Sequence, residues 1–189
     1  MPDSLPRLPD INLVGLRIDA VPAGPRGGLI GMCHCPGRHP GDLLAGTRRD
    51  DLISHLRDIA SWRARALVSL LEPDELHWCG IADLPERAGR LGLRHLHLPI
   101  RDMGVPGPEF ERRWETEGAL LREMLLEGER IVLHCLAGLG RTGTVAARLL
   151  VELGTEPGEA IRAVRLARPG TIQTPEQEQY VLRCAGRVR

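Results

Sequence analysis

The sequence predicts an α/β fold, with a central and mainly parallel sheet flanked by helices. Short apolar segments alternate with amphipathic helical patterns as far as residue 134, and a run of helical patterns follows. Strands separated by helices are typical of parallel β-α-β units. The chain of 189 residues is long enough for one domain with a substantial core. We expect an extended, Pro-rich arm at residues 1–10 and a single domain at residues 11–189.

Turn residues and hydrophobic spacing define the elements of the first half. Ile11–Ile18 and Gly28–Cys33 have the composition of two strands around a Pro/Gly-rich turn, which predicts a hairpin at the edge of the sheet. Arg48–Arg63 carries apolar residues three and four positions apart, the stripe of an amphipathic helix. Further along we expect two strands, Ala66–Leu71 and Arg94–Ile100, and two short helices, Pro73–Trp78 and Asp83–Leu91.

Helices predominate in the second half. Pro108–Leu126 has the pattern of a long amphipathic helix and leads into the next apolar strand. Two more helices are expected at Thr142–Leu153 and Glu156–Ala167. The run Thr174–Gln177 (TPEQ) has the pattern of a capping box and predicts a last helix that extends to about Val188.

Composition and charge exclude several classes of function. The 25 basic and 25 acidic residues balance, and the three Trp, one Tyr and one Phe are not interleaved with basic residues, so nucleic-acid binding is not supported. No apolar run approaches the roughly 20 residues of a membrane span, and the first residues lack a signal-peptide pattern. The odd total of five cysteines argues against a disulfide framework and predicts a reducing, cytoplasmic compartment. The chain contains Arg but no Lys, which is typical of a GC-rich genome and predicts a bacterial source.

The segment Ile131–Gly143, IVLHCLAGLGRTG, carries the clearest chemical signal. An apolar strand ends at His134 and Cys135, five residues follow, and Arg141 opens the next helix. A thiol at the N-terminus of a helix and beside a guanidinium lies where the thiolate is favoured. The planar fork of Arg141 matches two phosphoryl oxygens. The segment therefore predicts a phosphate-binding cup with the nucleophile Cys135 at its floor.

The residues within and beside this loop have expected roles as well. Backbone N–H groups of the loop are expected to bind the phosphoryl oxygens of a substrate, and its glycines let the backbone turn those groups inward. These loop residues are Leu136, Ala137, Gly138, Leu139 and Gly140. Thr142 is expected to hydrogen-bond the sulfur and help it leave. His134 is expected to shape the loop through a backbone hydrogen bond, because a thiolate needs no base.

Asp102 is a second candidate for catalysis. It lies on a Gly- and Pro-rich loop after a predicted strand and upstream of Cys135, and open α/β sheets bind ligands beyond the carboxyl ends of their strands. An isolated loop aspartate is more often a turn residue. The segment Cys33–His39 contains two cysteines and two histidines, but its spacing does not match a zinc site. No metal or organic cofactor is expected.

The run His134–Thr142, HCLAGLGRT, resembles the H-C-x5-R-[ST] signature of the dual-specificity group of cysteine-dependent phosphatases. Within that group, the chain resembles the kinase-associated phosphatases. Their G-L-C-x-x-P-G, P-I-x-D-x-G-x-P and A-I-Q-T segments are similar to Gly28–Gly37, Pro99–Pro106 and Thr171–Thr174 here. The resemblance implies the fold of the dual-specificity phosphatases.

The resemblance also implies a two-step hydrolysis of phosphotyrosine and of phosphoserine or phosphothreonine in proteins or peptides. Cys135 would attack phosphorus, Asp102 would act first as a general acid and then as a base, and Gln173 would orient the hydrolytic water. Tyr180 is the sole Tyr, so a tyrosine-bearing clamp for phosphotyrosine is not expected. The loop also lacks the two Lys of the lipid phosphatases in this superfamily, which disfavours an inositol-lipid substrate.

Two other interpretations of the loop are open at this point. A cup of this kind binds anions without catalysis, so a catalytically weak phosphate-binding module is one alternative. Rhodanese-like sulfurtransferases have a related cysteine loop, and in such an enzyme Asp102 would have no role. The combination of Cys135, Asp102, Arg141 and Thr142 favours hydrolysis over both alternatives.

Overall fold

The computed structural model describes residues 15–38 and 49–185, and the predicted arm at residues 1–10 lies outside them. The strands are β1 (Asp19–Ala23), β2 (Gly28–Cys33), β3 (Ala64–Ser69), β4 (Arg94–His97) and β5 (Arg130–His134). They form one sheet in the spatial order β1-β2-β5-β3-β4. β1 runs antiparallel to β2, and the other neighbouring strands are parallel. The predicted α/β fold with a mainly parallel sheet is therefore confirmed.

The first strand does not lie where the sequence predicted it. The prediction was Ile11–Ile18, but β1 begins at Asp19, residues 15–18 are not in a strand, and residues 11–14 lie outside the described part. β1 contains Pro22, which has no backbone N–H and weakens the sequence signal for a strand. A strand at the sheet edge accommodates Pro because one of its sides bonds no neighbour.

The helices in the described part are α1 (Arg49–Ser61), α2 (Pro73–Trp78), α3 (Leu84–Arg90), α4 (Pro108–Leu126), α5 (Gly140–Glu152), α6 (Pro157–Ala167) and α7 (Pro175–Cys184). Their ends agree with the predicted helices to within two residues, except that the predicted end of α7 lies outside the described residues. The predicted capping box is present, because Thr174 and Gln177 each accept a backbone N–H of the other residue. None of these helices has the length and apolar character that crossing a bilayer requires.

The sheet separates two hydrophobic cores. On one face, α4, α5, α6 and α7 pack against strand residues that include Ile131 and Leu133. On the other face, α1, α2 and α3 pack against residues that include Leu67 and Val132. Successive residues of β5 point to opposite faces, as the two-residue period of a strand requires. α5 is buried along nearly its whole length, so the loop before it has a fixed support.

The carboxyl ends of the parallel strands meet at one edge of the sheet. β5 ends directly before Cys135, and the loop after β4 carries Asp102. β3 is followed by α2, and the chain after β2 runs along the same edge. Parallel α/β sheets bind their ligands at this kind of edge. The fold therefore places Asp102 and Cys135, which are distant in sequence, at one location.

Candidate active site

One cavity at this edge brings together most of the residues that the sequence predicted. It has a volume of about 190 Å³, and its lining includes Cys135, Asp102, Arg141 and Gln173. The rest of its lining consists of Met103, Leu136, Ala137, Gly140 and Gln177. Cys135 is 3% exposed, so the candidate nucleophile lies deep in the cavity. The other predicted residues, His134, Gly138, Leu139 and Thr142, lie outside its lining.

The glycines of the cysteine loop permit close approaches that other residues would block. Gly138 has a φ of 71°, which favours glycine, and a Cβ atom there would lie 2.1 Å from the carbonyl oxygen of Cys33. A Cβ atom on Gly140 would lie 2.7 Å from the side-chain oxygen of Gln173. The loop therefore packs directly against the end of β2, and Gln173 packs directly against the start of α5.

Arg168 holds the outer side of the loop, a contact that the sequence analysis missed and that no local pattern marks. Its Nε donates to the carbonyl oxygen of Gly138 at 2.7 Å, and its Nη2 donates to that of Ala137 at 3.1 Å. Its Nη1 donates to Asp19 Oδ2 at 2.7 Å. Because the C=O and N–H groups of a peptide unit point in opposite directions, these bonds favour N–H groups directed into the cavity.

The Arg141 guanidinium is buried, with a side-chain exposure of 2%, and it forms ion pairs with two carboxylates. Its Nη1 and Nη2 donate to Glu75 Oε2 and Oε1 at 2.5 and 2.9 Å. Nη1 also donates to the carbonyl oxygen of Ile100 at 3.1 Å, and Nη2 lies 2.9 Å from Asp102 Oδ1. Burial alone lowers the pKa of this guanidinium, but Glu75, Cys135 and Asp102 raise it above its ordinary value. Arg141 is therefore charged and held in one orientation.

Glu75, the bidentate partner of Arg141, comes from the first turn of α2. Its carboxylate also accepts the backbone N–H of Glu72 at 2.8 Å, in the capping box that starts this helix. The sequence analysis missed Glu75. The strand-end reasoning that selected Asp102 applies equally to it, because α2 follows a parallel strand. What the sequence does not show is that its partner lies 66 residues further along the chain.

Gln177 joins the Asp102 loop to the Gln173 loop. Its Nε2 donates to the carbonyl oxygen of Gly104 at 3.0 Å, and its Oε1 accepts the backbone N–H of Gln173 at 2.8 Å. The sequence analysis identified Gln177 as a helix-capping residue and missed this second role. Asp102 itself lies at the mouth of the cavity with 63% of its side chain exposed. The buried Gln177 amide thus connects the loop of the predicted acid, Asp102, to the loop of the predicted water-positioning residue, Gln173.

Thr142 is fully buried in the first turn of α5. Its hydroxyl oxygen has no hydrogen-bond partner among the described residues, so the expected bond to the Cys135 sulfur is not made in this structure. A buried hydroxyl without a partner costs roughly 1–3 kcal/mol. A thiolate that leaves during turnover would gain a hydrogen bond from it, and this role stays a prediction.

A chain of three hydrogen-bonding side chains adjoins Cys135. His134 Nε2 is 2.5 Å from Ser69 Oγ, and Ser69 Oγ is 2.8 Å from His95 Nε2. His134 Nδ1 faces the carbonyl oxygen of Cys135 at 3.4 Å. If Nδ1 donates to that oxygen, then Nε2 accepts from Ser69, and Ser69 accepts from His95. The geometry supports the expected loop-shaping role of His134.

The two histidines that are hydrogen-bonded to Ser69 are neutral at neutral pH. Burial, with a smaller contribution from the nearby His95, lowers the pKa of His134 to about 3. Burial, with a smaller contribution from His97, lowers the pKa of His95 to about 4. His134 is therefore poorly suited to act as an acid or base near neutral pH, which agrees with the interpretation from the sequence.

Tyr180 lies away from the cavity. It is 5% exposed, its hydroxyl donates to Glu111 Oε1 at 2.7 Å, and the same hydroxyl contacts Arg148. These partners hold it between α7, α4 and α5, where it has no access to a substrate ring. Across residues 15–38 and 49–185, no group of three or more His, Cys, Asp or Glu side chains is arranged to hold a metal ion.

The loop between β5 and α5 carries the H-C-x5-R-T sequence of the cysteine-dependent phosphatases, and it lies in a mainly parallel α/β sheet. A family model described as "Polymorphic toxin system, DSP-PTPase phosphatase" matches residues 48–155, which is more than half of the chain. The chain belongs to this family. The expected membership of the dual-specificity phosphatases is therefore confirmed, and the matched region contains Asp102, Cys135 and Arg141.

Curated proteins with similar sequences carry phosphatase or kinase-inhibitor names. Tyrosine-protein phosphatase CDC14 of Saccharomyces cerevisiae is 34% identical over 93 residues, which is 49% of this chain and 16% of the yeast protein. Cyclin-dependent kinase inhibitor 3 of Rattus norvegicus is 28% identical over 155 residues, which is 80% of this chain and 69% of the rat protein. The chain thus spans a small part of the yeast protein and about two thirds of the rat protein.

Solved structures share the fold. A kinase-associated phosphatase whose catalytic-site cysteine is replaced by serine has a TM-score of 0.78 and 24% identity, and the match covers 94% of this chain and 98% of that one. The phosphatase Tk-PTP in its active form has a TM-score of 0.66 and 25% identity, with 90% and 98% of the two chains covered. These similarities confirm the predicted architecture.

The first prediction concerns Glu75, which orients Arg141. Glu75→Gln removes the charge that fixes the buried guanidinium but keeps the size of the side chain. We expect kcat/KM for p-nitrophenyl phosphate to fall by roughly tenfold to a hundredfold, since small misplacements of a catalytic group have effects of this size. Steady-state kinetics of the purified variant measure the change.

Asp74→Asn is the matched control, because Asp74 is exposed in the same first turn of α2. We expect this variant to retain activity to within about twofold, as is usual for surface substitutions. If Glu75→Gln is as active as Asp74→Asn, then Ile100 and Asp102 are sufficient to orient Arg141, and the role given to Glu75 is wrong.

The second prediction concerns the pH dependence of stability. The pKa values of His134 and His95 are lowered on folding, so the unfolded chain binds protons that the folded protein does not. The free energy of unfolding therefore falls as pH falls from about 6.5 to about 4, by up to roughly 1.4 kcal/mol per pH unit for each histidine. His95→Gln should reduce this slope, because glutamine keeps a donor to Ser69 but does not titrate.

Urea unfolding at a series of pH values measures the slope. His77→Gln is the matched control, because His77 is an exposed histidine of α2 outside the hydrogen-bonded chain. If His95→Gln and the unmodified protein have equal slopes, then folding does not change the pKa of His95, and the prediction is wrong.

Proposed function

We propose that this protein hydrolyses phosphate monoesters of proteins or peptides, on tyrosine and on serine or threonine, through a phosphocysteine intermediate. The observation that carries the proposal is the arrangement of Cys135 and Asp102 around the buried Arg141 guanidinium. Membership of the DSP-PTPase family supports it. The proposed mechanism uses no cofactor.

Arg141 has two N–H groups for the substrate. Its other three donate to the two Glu75 oxygens and to the Ile100 carbonyl. The Nε–H and the Nη2–H that faces Asp102 lie along one side of the guanidinium and form a fork for two phosphoryl oxygens. A phosphate dianion would displace Asp102 from Nη2, because Asp102 is largely exposed and makes a single contact there. The released carboxyl group would then lie near the leaving oxygen.

In the first step, the Cys135 thiolate attacks phosphorus in line, and the bond from phosphorus to the leaving oxygen breaks. Loop N–H groups and Arg141 stabilise the charge on the equatorial oxygens. Asp102 takes up a proton from water once it has left the guanidinium, and in this acid form it donates that proton to the leaving oxygen. The products are a phosphocysteine and the dephosphorylated side chain.

In the second step, water attacks the phosphocysteine. Asp102, now a carboxylate, accepts a proton from this water, and Gln173 orients it. The Thr142 hydroxyl stabilises the departing thiolate. Inorganic phosphate is released, and both Cys135 and Asp102 return to their initial protonation states.

The residues at the mouth of the cavity favour activity on several kinds of phosphorylated residue. Tyr180 is remote from it, and the 51% exposed Met103 supplies apolar surface at its rim. We propose that aryl phosphates react faster than alkyl phosphates and that inositol lipids are not substrates, because the loop carries no Lys. All five cysteines are free thiols, which supports the proposal of a reducing, cytoplasmic compartment.

The third prediction tests the assignment as a whole. Cys135→Ser should abolish hydrolysis of p-nitrophenyl phosphate and of phosphopeptides but retain folding and binding of tungstate, since the cup is intact and serine is a poor nucleophile at neutral pH. Appreciable hydrolysis by the pure variant contradicts the proposal. An inactive unmodified protein that still binds tungstate would identify a phosphate-binding module, and sulfur transfer from thiosulfate would identify a rhodanese-like enzyme.

The fourth prediction separates Asp102 from other acidic residues by the chemistry of the leaving group. A general acid matters most when the leaving alcohol is a weak acid. Asp102→Asn should therefore lose about a hundredfold or more in kcat with a phosphothreonine peptide and much less with a strongly activated aryl phosphate. It should also flatten the basic limb of the pH–rate profile.

Asp83→Asn is the control for this experiment. Asp83 precedes α3, does not line the cavity and pairs with Arg87 at 2.7 Å. It should change neither the substrate ratio nor the pH profile. If Asp102→Asn slows both substrates equally, Asp102 positions its loop and does not deliver a proton.

A further inference from the structure

Two cysteines outside the catalytic loop, Cys35 and Cys79, are buried in the same hydrophobic cluster, and Arg38 is bonded to both of them. Cys35 follows β2, and Cys79 is the residue that ends α2. The backbone N–H of Arg38 donates to the carbonyl oxygen of Cys35 at 3.2 Å. The guanidinium of Arg38 donates to Cys79 Sγ at 3.7 Å, and the same guanidinium stacks on Trp78 with 4.8 Å from Cζ to the ring centroid. The pair therefore consists of two thiols and a cation held beside one of them.

This arrangement makes the two sulfur atoms chemically different. The hydrogen bond with Cys35, followed by the contact with Arg38, lowers the pKa of Cys79 to about 7 against the opposing effect of burial. The hydrogen bond with Cys79 and burial raise the pKa of Cys35 well above its usual range. Cys79 is thus the more acidic thiol of the pair. By contrast, burial raises the pKa of Cys33 to about 12, which leaves it unreactive.

Each cysteine is connected to a support of the active site. The backbone N–H of Cys35 donates to the carbonyl oxygen of Leu136, in the catalytic loop, at 3.0 Å. The backbone N–H of Cys79 donates to the carbonyl oxygen of Glu75 at 2.8 Å, and the Glu75 carboxylate orients Arg141. A covalent bond between the two sulfur atoms would join these supports.

We propose that Cys35 and Cys79 form a reversible disulfide that weakens phosphate binding at Arg141. The oxidant is a hydroperoxide. The Cys79 thiolate attacks one peroxide oxygen, the O–O bond breaks, and Cys79 becomes a sulfenic acid with release of hydroxide. The Cys35 sulfur then attacks the Cys79 sulfur, the S–O bond breaks, and the hydroxyl group leaves as water with the Cys35 proton. Two thiols are oxidised, and one peroxide is reduced.

The disulfide acts on the site through geometry. The two sulfur atoms must approach to about 2.0 Å when they are bonded, so the end of α2 shifts toward the segment after β2. α2 has six residues, and Glu75 lies one turn before Cys79. The shift therefore reaches the carboxylate that orients Arg141. Cys79 is buried, but Trp78 and Gly80 on either side of it are exposed, which gives a small oxidant a short path.

The test uses the Cys135→Ser variant, in which oxidation of the nucleophile cannot contribute. Hydrogen peroxide should remove two of the four remaining thiols and join the peptides that contain Cys35 and Cys79, as shown by mass spectrometry, and dithiothreitol should restore both thiols. The double variant Cys135→Ser/Cys79→Ser is the control and should show no joined peptide. Four thiols that stay free, or a bond that involves Cys33 or Cys184, would overturn the proposal.

Tungstate binding to the same samples measures the effect on the site. We expect the oxidised variant to bind tungstate about tenfold more weakly than the reduced variant, since a small displacement of a binding group has effects of at least this size. Peroxide should not change the affinity of the double variant. Equal affinities of the oxidised and reduced forms would overturn the coupling. A reduced variant that binds no tungstate would instead contradict the proposed phosphatase function, and the joined peptides distinguish the two failures.

Discussion

The buried guanidinium of Arg141 is the group on which the rest of the site depends. A charge that is 2% exposed is stable in a protein interior only when it is paired and hydrogen-bonded. The Glu75 carboxylate, the Ile100 carbonyl and the Asp102 carboxylate supply those bonds. Glu75 follows β3, whereas Ile100 and Asp102 follow β4, so the guanidinium is accommodated only where the ends of these two strands lie close to the loop after β5. The contacts that stabilise the buried charge are therefore the same contacts that assemble the proposed phosphate site.

Local signals in the sequence were sufficient for the fold class and for the catalytic loop. Helices that begin with Pro, such as α4 and α7, and apolar strands bounded by Gly or Pro have patterns that depend on nearby residues alone. The loop from His134 to Thr142 is equally local, since one strand end, one tight turn and one helix start contain all of it. The bounds of β1 were predicted wrongly because Pro22 gives Asp19–Ala23 the composition of the turn that follows, although an edge strand accommodates Pro.

The supporting residues were missed for the same reason. Glu75, Arg168 and Gln177 act through partners 66, 30 and 73 residues away in the sequence, and each has an ordinary local explanation as a helix or loop residue. Asp102 was found because it follows a strand end and because a known signature surrounds it. Glu75 satisfies the same strand-end criterion without such a signature. Applying that criterion to every polar residue in the segments that follow the parallel strands would have found Glu75, but not Arg168, whose loop contacts involve backbone carbonyls.

The two carboxylates on Arg141 differ in a way that decides which one yields to a substrate. Glu75 bonds both terminal nitrogens and its side chain is 20% exposed, whereas Asp102 makes one contact and is 63% exposed. Breaking a buried pair by removing a partner costs about 3–5 kcal/mol, whereas an exposed pair contributes about 0–1 kcal/mol. In the proposed mechanism, a phosphate dianion would displace Asp102 and leave Glu75 in place. The phosphate would gain the N–H group that Asp102 loses, so substrate binding would free the proposed general acid near the leaving oxygen.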